Sequence, residues 1–422
     1  MRFHSTFFLA IILCVSTPMF ILRSLGEEGR ETHASDYPVQ PGDHIAIIGN
    51  TFADQLRVHG YLETLLLSRT HENPVSIRNL GWAGDRLTYR DRPTNFPTEE
   101  STLQEHQTDV IIACFGMGES FDGEEGLADF RRDLRDFITS HRGKIYNGES
   151  EVRLVLVSPI AYENLGDITP NWERRNKELE AYSQAIAETA TEANIAYVHL
   201  FDPAKSLMED DDTPDLTTNG IHLNPFGYWA LSRATADQLV PGHPAWQLTI
   251  DAASKDITAE GLTVANLTEK NGELEFRVTE DSWPSPAPPS EHPLSSSLSD
   301  SQDTLTIKNL PPGKYRLEID DEPITTNDHQ AWAEGVLLHN TPAHTAAETY
   351  RRSVNDKNDQ FIYSWKALNQ VHIVGERRNS PSGRSLPEEI IEFNKLALER
   401  DKSLRTGIEL KTRTWRLTPI SR

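Results

Sequence analysis

The chain has 422 residues, with 64 acidic against 41 basic side chains and a formal charge of −23. That length buries a sizeable core and suits more than one domain. The negative balance argues against nucleic acid or anionic lipid as the main partner, since both need a positive footprint. Two cysteines, Cys14 and Cys114, are present. Without paired Cys/His spacing or a CxxCH run, neither structural zinc nor covalent haem is implied.

Met1–Leu22 opens with Arg2 and runs through "FFLAIILCVSTPMFIL". A basic start followed by an apolar stretch reads as a secretory signal, with small residues for cleavage near Ser24-Leu25-Gly26. The alternative is an uncleaved anchor, because the run approaches the ~20 residues that span a bilayer. Either way residues 1–26 predict export, periplasmic or secreted, with membrane contact only through this segment. Cys14 lies inside it, so Cys114 in "DVIIACFG" is the single cysteine of a processed chain and reads as an inert core thiol. Residues 27–42 are a polar leader.

From 43 to 242, short apolar runs alternate with helical patterns: strand Ile45–Ile48, helix Asp54–Ser68, strands Val75–Asn79 and Val110–Phe115, and helix Gly126–Thr139. Strand Arg153–Ser158, helix Trp172–Ala193, strand Ala196–Leu200 and helix Pro225–Val240 follow. Buried strands separated by helices predict an α/β unit, a parallel sheet covered on both faces and joined by right-handed crossovers. After Pro241 the pattern becomes period-2, as in "GLTVANLTEKNGELEFRVTE", with Asn271-Gly272 and Pro312-Gly313 at turns. A small antiparallel β domain is expected at 243–325, carrying a Pro/Ser-rich loop at 284–302. Residues 326–422 read as mainly helical, with "DHQAWAEGVLLHN", Thr345–Trp365 and Glu388–Arg400 as the helices.

The stretch "IAIIGNT" (Ile45–Thr51) predicts a strand, a tight turn and a helix start, the place where open sheets set their ligand crevices. Taken alone it is an ordinary strand–helix turn with Thr51 as N-cap. Three later stretches change that reading: "NLGWAGD" (Asn79–Asp85), "FGMGES" (Phe115–Ser120) and "TTNGIHLNPFGY" (Thr217–Tyr228). In order and spacing the four blocks resemble the SGNH/GDSL hydrolase superfamily, whose blocks supply a serine, a glycine, an asparagine and an Asp-x-x-His pair. The resemblance implies a flavodoxin-like three-layer sandwich and hydrolysis of esters without a cofactor. The implied partner is a small-molecule or carbohydrate ester, and the oligomeric state is not readable.

Carried over block by block, the resemblance makes Thr51 the nucleophile and His222 the base, with Asn219 behind it. The oxyanion hole then comprises Gly84, Gly118 and Thr51. Three positions depart from the pattern. Thr51 adds a methyl that restricts χ1, and a structural threonine is as common there as a nucleophile. Asn219 orients an imidazole but brings no charge to its cation, and the equivalent change in a serine-protease triad lowers turnover by about four orders of magnitude. Asp215 is a nearby carboxylate without a geometric warrant. Gly118 removes a side-chain donor worth roughly 3–4 kcal/mol in a comparable site, unless Glu119, Ser120 or a backbone N–H compensates; "GMGES" equally suits a tight turn that needs glycine.

Around the blocks, Asn50, Trp82, Arg86 and Glu119 are candidate substrate contacts. Arg86, Arg90 and Arg92 suit an anionic or sugar clamp or a solvated surface, and Trp82 suits a sugar platform or a core residue. "RRSVNDKNDQFIYSWKALNQVHIVGERR" (Arg351–Arg378) resembles a segment of exported multidomain bacterial members, some of which continue into haem-binding modules. Lys357, Asn358, Trp365 and His372 within it read as a docking strip for the first domain or as plain packing. Two functions therefore stay open: an acyl (acetyl) esterase on carbohydrate with a degenerate triad, and a non-catalytic binding or scaffold protein on the same fold.

Overall fold

The computed structural model describes residues 37–93, 96–289, 303–366 and 375–420. The signal or anchor at 1–26, the start of the leader, most of the Pro/Ser-rich loop and His372 lie outside them.

The α/β unit runs β1 (His44–Gly49), α1 (Thr51–His59), α2 (Tyr61–Arg69), β2 (Ser76–Asn79), α3 (Glu99–Glu105), β3 (Val110–Cys114) and α4 (Leu127–His141). It continues through β4 (Arg153–Val157), α5 (Trp172–Ala193), β5 (Ala196–Val198), α6 (Phe201–Met208) and α7 (Pro225–Leu239). All strand pairs are parallel and the order is β2-β1-β3-β4-β5. The chain reverses its winding direction between β1 and β3, which opens a crevice at their carboxyl ends. Ile45, Ile47, Val110, Ile112 and Val155 face one helical layer, while Ala46, Ile48, Ile111, Ala113 and Leu156 face the other. Both faces are covered, as apolar runs without polar alternation require.

One expected helix is two. The Asp54–Ser68 pattern breaks at Gly60, which adopts φ 67 and caps α1 while opening α2. A Cβ there would sit 2.0 Å from Asn355 Oδ1. The break therefore permits both a left-handed backbone and the close approach of a C-terminal helix.

The second half contains β6 (Gln247–Asp251), β7 (Ile257–Glu260), β8 (Leu262–Lys270), β9 (Glu273–Glu280), β10 (Thr304–Lys308), β11 (Lys314–Ile319) and β12 (Glu322–Asp328). After these come α8 (His329–Glu334), β13 (Val336–Leu337), α9 (Pro342–Trp365), α10 (Pro381–Thr406) and β14 (Arg413–Ile420). The strands make two sheets, β13-β10-β6-β7 and β12-β11-β14-β9-β8, around a core that includes Trp246, Phe276, Trp332 and Trp415. The pairing is antiparallel except for β6 with β10, which run parallel. The region expected to be mainly helical also ends in a strand: β14 enters the middle of the second sheet, between β9 and β11.

Helices α9 and α10 pack on the edge of the α/β unit. Fully buried Lys357 donates its ammonium to Glu63 and to the Ile77 carbonyl, and Asn358 donates to the second Glu63 oxygen at 2.9 Å. Ser76 donates to Asp401 at 2.8 Å, and Trp365 lies edge-on to Trp82 and Phe96. Of the two readings of this strip, docking on the first unit is the one observed for Lys357, Asn358 and Trp365.

Candidate active site

The first block ends β1 at the crevice. Gly49 has φ 136, and a Cβ on it would lie 2.2 Å from the Cys114 carbonyl oxygen, so β1 and β3 converge only because glycine stands here. Asn50 donates its N–H to that same carbonyl at 3.2 Å. Its Oδ1 accepts from the Phe52 N–H at 3.0 Å, which makes Asn50, and not Thr51, the N-cap of α1. The Asn50 Oδ1 is thereby committed to the turn, while no partner of its Nδ2 is found among the described residues. Thr51 becomes the first helical residue. Its N–H is one of the donors that a helix leaves without an internal partner, and its hydroxyl makes no hydrogen bond among the described residues.

The second block is stitched to the first by Leu80 N–H to Ile47 O at 2.7 Å and Trp82 N–H to Gly49 O at 2.9 Å. Gly84, at φ 87, turns the chain into open space: a Cβ there would meet nothing within 4 Å. The third block leaves β3 through Gly116 (φ 104) and Gly118. Gly118 itself is ordinary right-handed helical backbone, φ −67 and ψ −42, so its conformation does not require glycine. Thr51, Gly84 and Gly118 each carry an N–H with no hydrogen-bond partner among the described residues.

Glu119 holds the second and third blocks together. Its two oxygens accept from Leu87 N–H and Gly116 N–H, both at 2.8 Å, in a buried position. It is a brace, and the expected contact with substrate is corrected accordingly. Ser120 is also engaged, donating to Met117 O at 2.7 Å and accepting from Arg175 at 2.8 Å. Neither side chain is free to replace the missing asparagine donor.

The fourth block is pinned by a carboxylate that carries no sequence signature. Buried Glu163, on the loop after β4, accepts from Leu216 N–H and Thr217 N–H, each at 2.7 Å, and from the Thr217 hydroxyl. Asn219 then makes an Asx turn, its Oδ1 accepting from Ile221 N–H at 3.2 Å and His222 N–H at 3.0 Å. Its Nδ2 faces His222 Nδ1 at 2.9 Å. Asn224 caps α7, and Tyr228 on that helix stacks on Phe52 with centroids 6.0 Å apart, which brings the block against the start of α1. No hydrogen bond joins Thr51 to His222, and no carboxylate of the described residues pairs with the exposed imidazole. Asp215 contributes only its backbone carbonyl, to Asn224.

The arginine cluster separates into different roles. Arg92 binds Asp85 through both ends of its fork, at 2.9 and 2.6 Å, and lies over Trp82 at 4.4 Å. Lys366 approaches the same ring at 4.8 Å, so Trp82 is engaged by cations and aromatics instead of offering a sugar platform. Arg90 pairs with Glu99 and lies against Phe115. Of the three, Arg86 is the one that hydrogen-bonds to the third block, donating Nη2 to Gly118 O at 2.5 Å, and its Nη1 donates to Asp122 at 3.3 Å. Cys114 is buried under the crevice, and burial pushes its thiol up to about 12. It is the inert core cysteine that its apolar run predicts.

A doubly wound parallel sheet bearing these four blocks defines an SGNH-type hydrolase fold. Residues 42–230 match the family of GDSL-like lipases and acylhydrolases. The architecture over nearly the whole length is similar to BT4096, a gut microbial diltiazem-metabolizing enzyme, at TM-score 0.70 and 17% identity, covering 91% of this chain and 99% of that one. Axe2, an acetylxylan esterase from Geobacillus stearothermophilus, aligns at TM-score 0.38 and 14% identity over 48% of this chain and 96% of its own. No curated protein matches the sequence.

Proposed function

We propose that this protein is a slow ester hydrolase that removes small acyl groups, acetyl foremost, from carbohydrate, with Thr51 as nucleophile and His222 as base. The observation that carries the reading is the set of unpaired N–H groups on Thr51, Gly84 and Gly118, beside a Thr51 hydroxyl that bonds to nothing among the described residues. Unpaired donors on neighbouring loops suit a developing oxyanion, and a helix N-terminus adds to that preference.

In the proposed cycle Thr51 Oγ1 attacks the acyl carbon, the carbonyl π pair moves onto oxygen, and the hydroxyl proton passes to His222 Nε2. Collapse expels the sugar alkoxide, which takes that proton back, and water then hydrolyses the acyl-threonine by the same route. The slow rate follows from Asn219. While its Nδ2 donates to Nδ1, the neutral ring carries its proton on Nε2, the nitrogen that has to accept. Turnover requires the amide to rotate and present Oδ1 to Nδ1–H, giving up the two backbone N–H bonds of the Asx turn. Export in a cleaved or anchored form suits a polymeric substrate, with the β sheets after Pro241 as a second contact surface.

The competing reading is a carbohydrate-binding protein on the same scaffold, favoured by the same Asn219–His222 polarity. Acetate release from an aryl acetate and from an acetylated xylo-oligosaccharide separates the two. Thr51→Ala and His222→Ala should each bring the rate down to that of buffer. Equal rates for wild type and both variants, together with retained oligosaccharide affinity, would leave the binding protein standing.

A further inference from the structure

We infer that the Arg86 guanidinium is the side-chain oxyanion donor of this site, in place of the amide that Gly118 lacks. The inference rests on the hydrolase reading above and names the group that completes its oxyanion hole.

Gly118 has backbone angles that any residue adopts, and no backbone atom is among the closest neighbours of a Cβ built on it. What such a Cβ meets is Arg86: Cγ and Nε at 3.3 Å and Cδ at 3.8 Å. The arginine side chain therefore lies along the direction in which a residue at 118 would project. Absence of a side chain at 118 and presence of this one are a single steric exchange, made between loops 32 residues apart in sequence.

The guanidinium is held and yet keeps donors free. Nη2 donates to Gly118 O at 2.5 Å and Nη1 to Asp122 at 3.3 Å, which fixes the plane of the fork. A guanidinium has five N–H bonds; Nε–H and the second hydrogens of Nη1 and Nη2 have no partner among the described residues. The side chain is only partly exposed, at 37%. The alternatives at hand are occupied, since Glu119 and Ser120 are both bonded internally. A fixed cation also suits this site better than an amide would, because no carboxylate behind His222 supplies charge. An always-charged, forked donor placed where negative charge develops stabilises the tetrahedral oxyanion with little reorganisation.

The test uses the full chain, with Arg86→Ala, Gly118→Asn and the double variant, and two readouts. For aryl acetate hydrolysis, Arg86→Ala should lower kcat about 100-fold or more with KM little changed, the signature of a donor used in the transition state. Gly118→Asn alone should not gain, because its side chain collides with Arg86. The double variant should regain most of the loss, a rescue that a merely structural arginine does not produce. Independently of turnover, calorimetric titration with phenylphosphonate, a stable tetrahedral anion, should show affinity weakened at least tenfold in Arg86→Ala. Wild-type kcat and phosphonate affinity in Arg86→Ala, or no phosphonate binding by the wild type, overturns the assignment. Arginine-dependent phosphonate binding without any Thr51-dependent hydrolysis would uphold Arg86 and sink the hydrolase reading instead.

Discussion

Asn219 donates its amide Nδ2 to Nδ1 of His222 across 2.9 Å, the reverse of the polarity that a triad uses. The direction is set by the turn. Oδ1 accepts from the N–H groups of Ile221 and His222, so flipping the amide would point its hydrogens at two donors. A carboxylate in this position would keep both turn bonds and accept Nδ1–H as well. Asn219→Asp should therefore raise aryl acetate hydrolysis by ~100-fold, with the four orders of magnitude seen in a serine-protease triad as the ceiling. Nitrogen-15 shifts of the His222 ring give a second check. The wild type should show the Nε2–H tautomer and the variant Nδ1–H; the reverse pattern would refute the polarity.

Lys357 anchors the C-terminal helices to the α/β unit through a charge pair that water does not reach. Removing one partner leaves the other buried and uncompensated, at a cost of about 3–5 kcal/mol, whereas replacing both with apolar groups of similar volume is close to neutral. Lys357→Met should shift urea unfolding by that order. Adding Glu63→Leu should recover most of it. A shift below ~1 kcal/mol for Lys357→Met would show that the helices dock by their apolar contacts alone.

Glu280, buried at the end of β9, has its carboxyl pushed from 4.5 up to about 8, by burial first and then by the charge of Asp303, with Arg413 opposing. Its folded-state affinity for a proton is raised above that of the unfolded chain. The associated stability is therefore full below pH 4.5 and is lost as pH rises through about 8. Between pH 5 and pH 9 the unfolding free energy should fall by a few kcal/mol, since each tenfold difference in proton affinity is worth about 1.4 kcal/mol. Glu280→Gln should flatten that slope and raise stability at pH 9. An unchanged slope would assign the effect to other groups.

Cys114 should resist thiol reagents in the native chain, since its thiol is buried and held near 12. Reaction with an aromatic disulfide should be negligible at pH 8 and become stoichiometric in denaturant. Rapid native labelling would mean that the crevice opens to β3.

Much of the fold was legible because local chemistry writes it. Helix α5 runs over Trp172–Ala193 as its periodicity predicts, and the apolar runs of β1 to β4 mark a sheet covered on both faces. What escaped was set by distant partners. The helical period continues through Tyr61, Leu62, Leu65 and Leu66, so Gly60 itself is the single local sign of the break. The close approach of Asn355, nearly three hundred residues on, which leaves no room for a side chain there, has no local sign. Strand β14 spans eight residues but buries only Trp415 and Leu417, and its place is set by pairing with β9 on one side and β11 on the other.

The candidate site divides in the same way. The sequence by itself determined which residue types stand on the four blocks and in what order, because each block is a local turn whose glycines and caps are encoded within a few residues. It also showed that an acid and an amide donor of the usual pattern are absent. Only the tertiary structure decided what those absences mean. The polarity between Asn219 and His222 depends on which atoms the turn N–H groups claim, and the place of Arg86 depends on the volume that Gly118 leaves open on another loop. Hydrogen-bond direction and steric exclusion act between atoms brought together by folding, so residue order alone does not contain them.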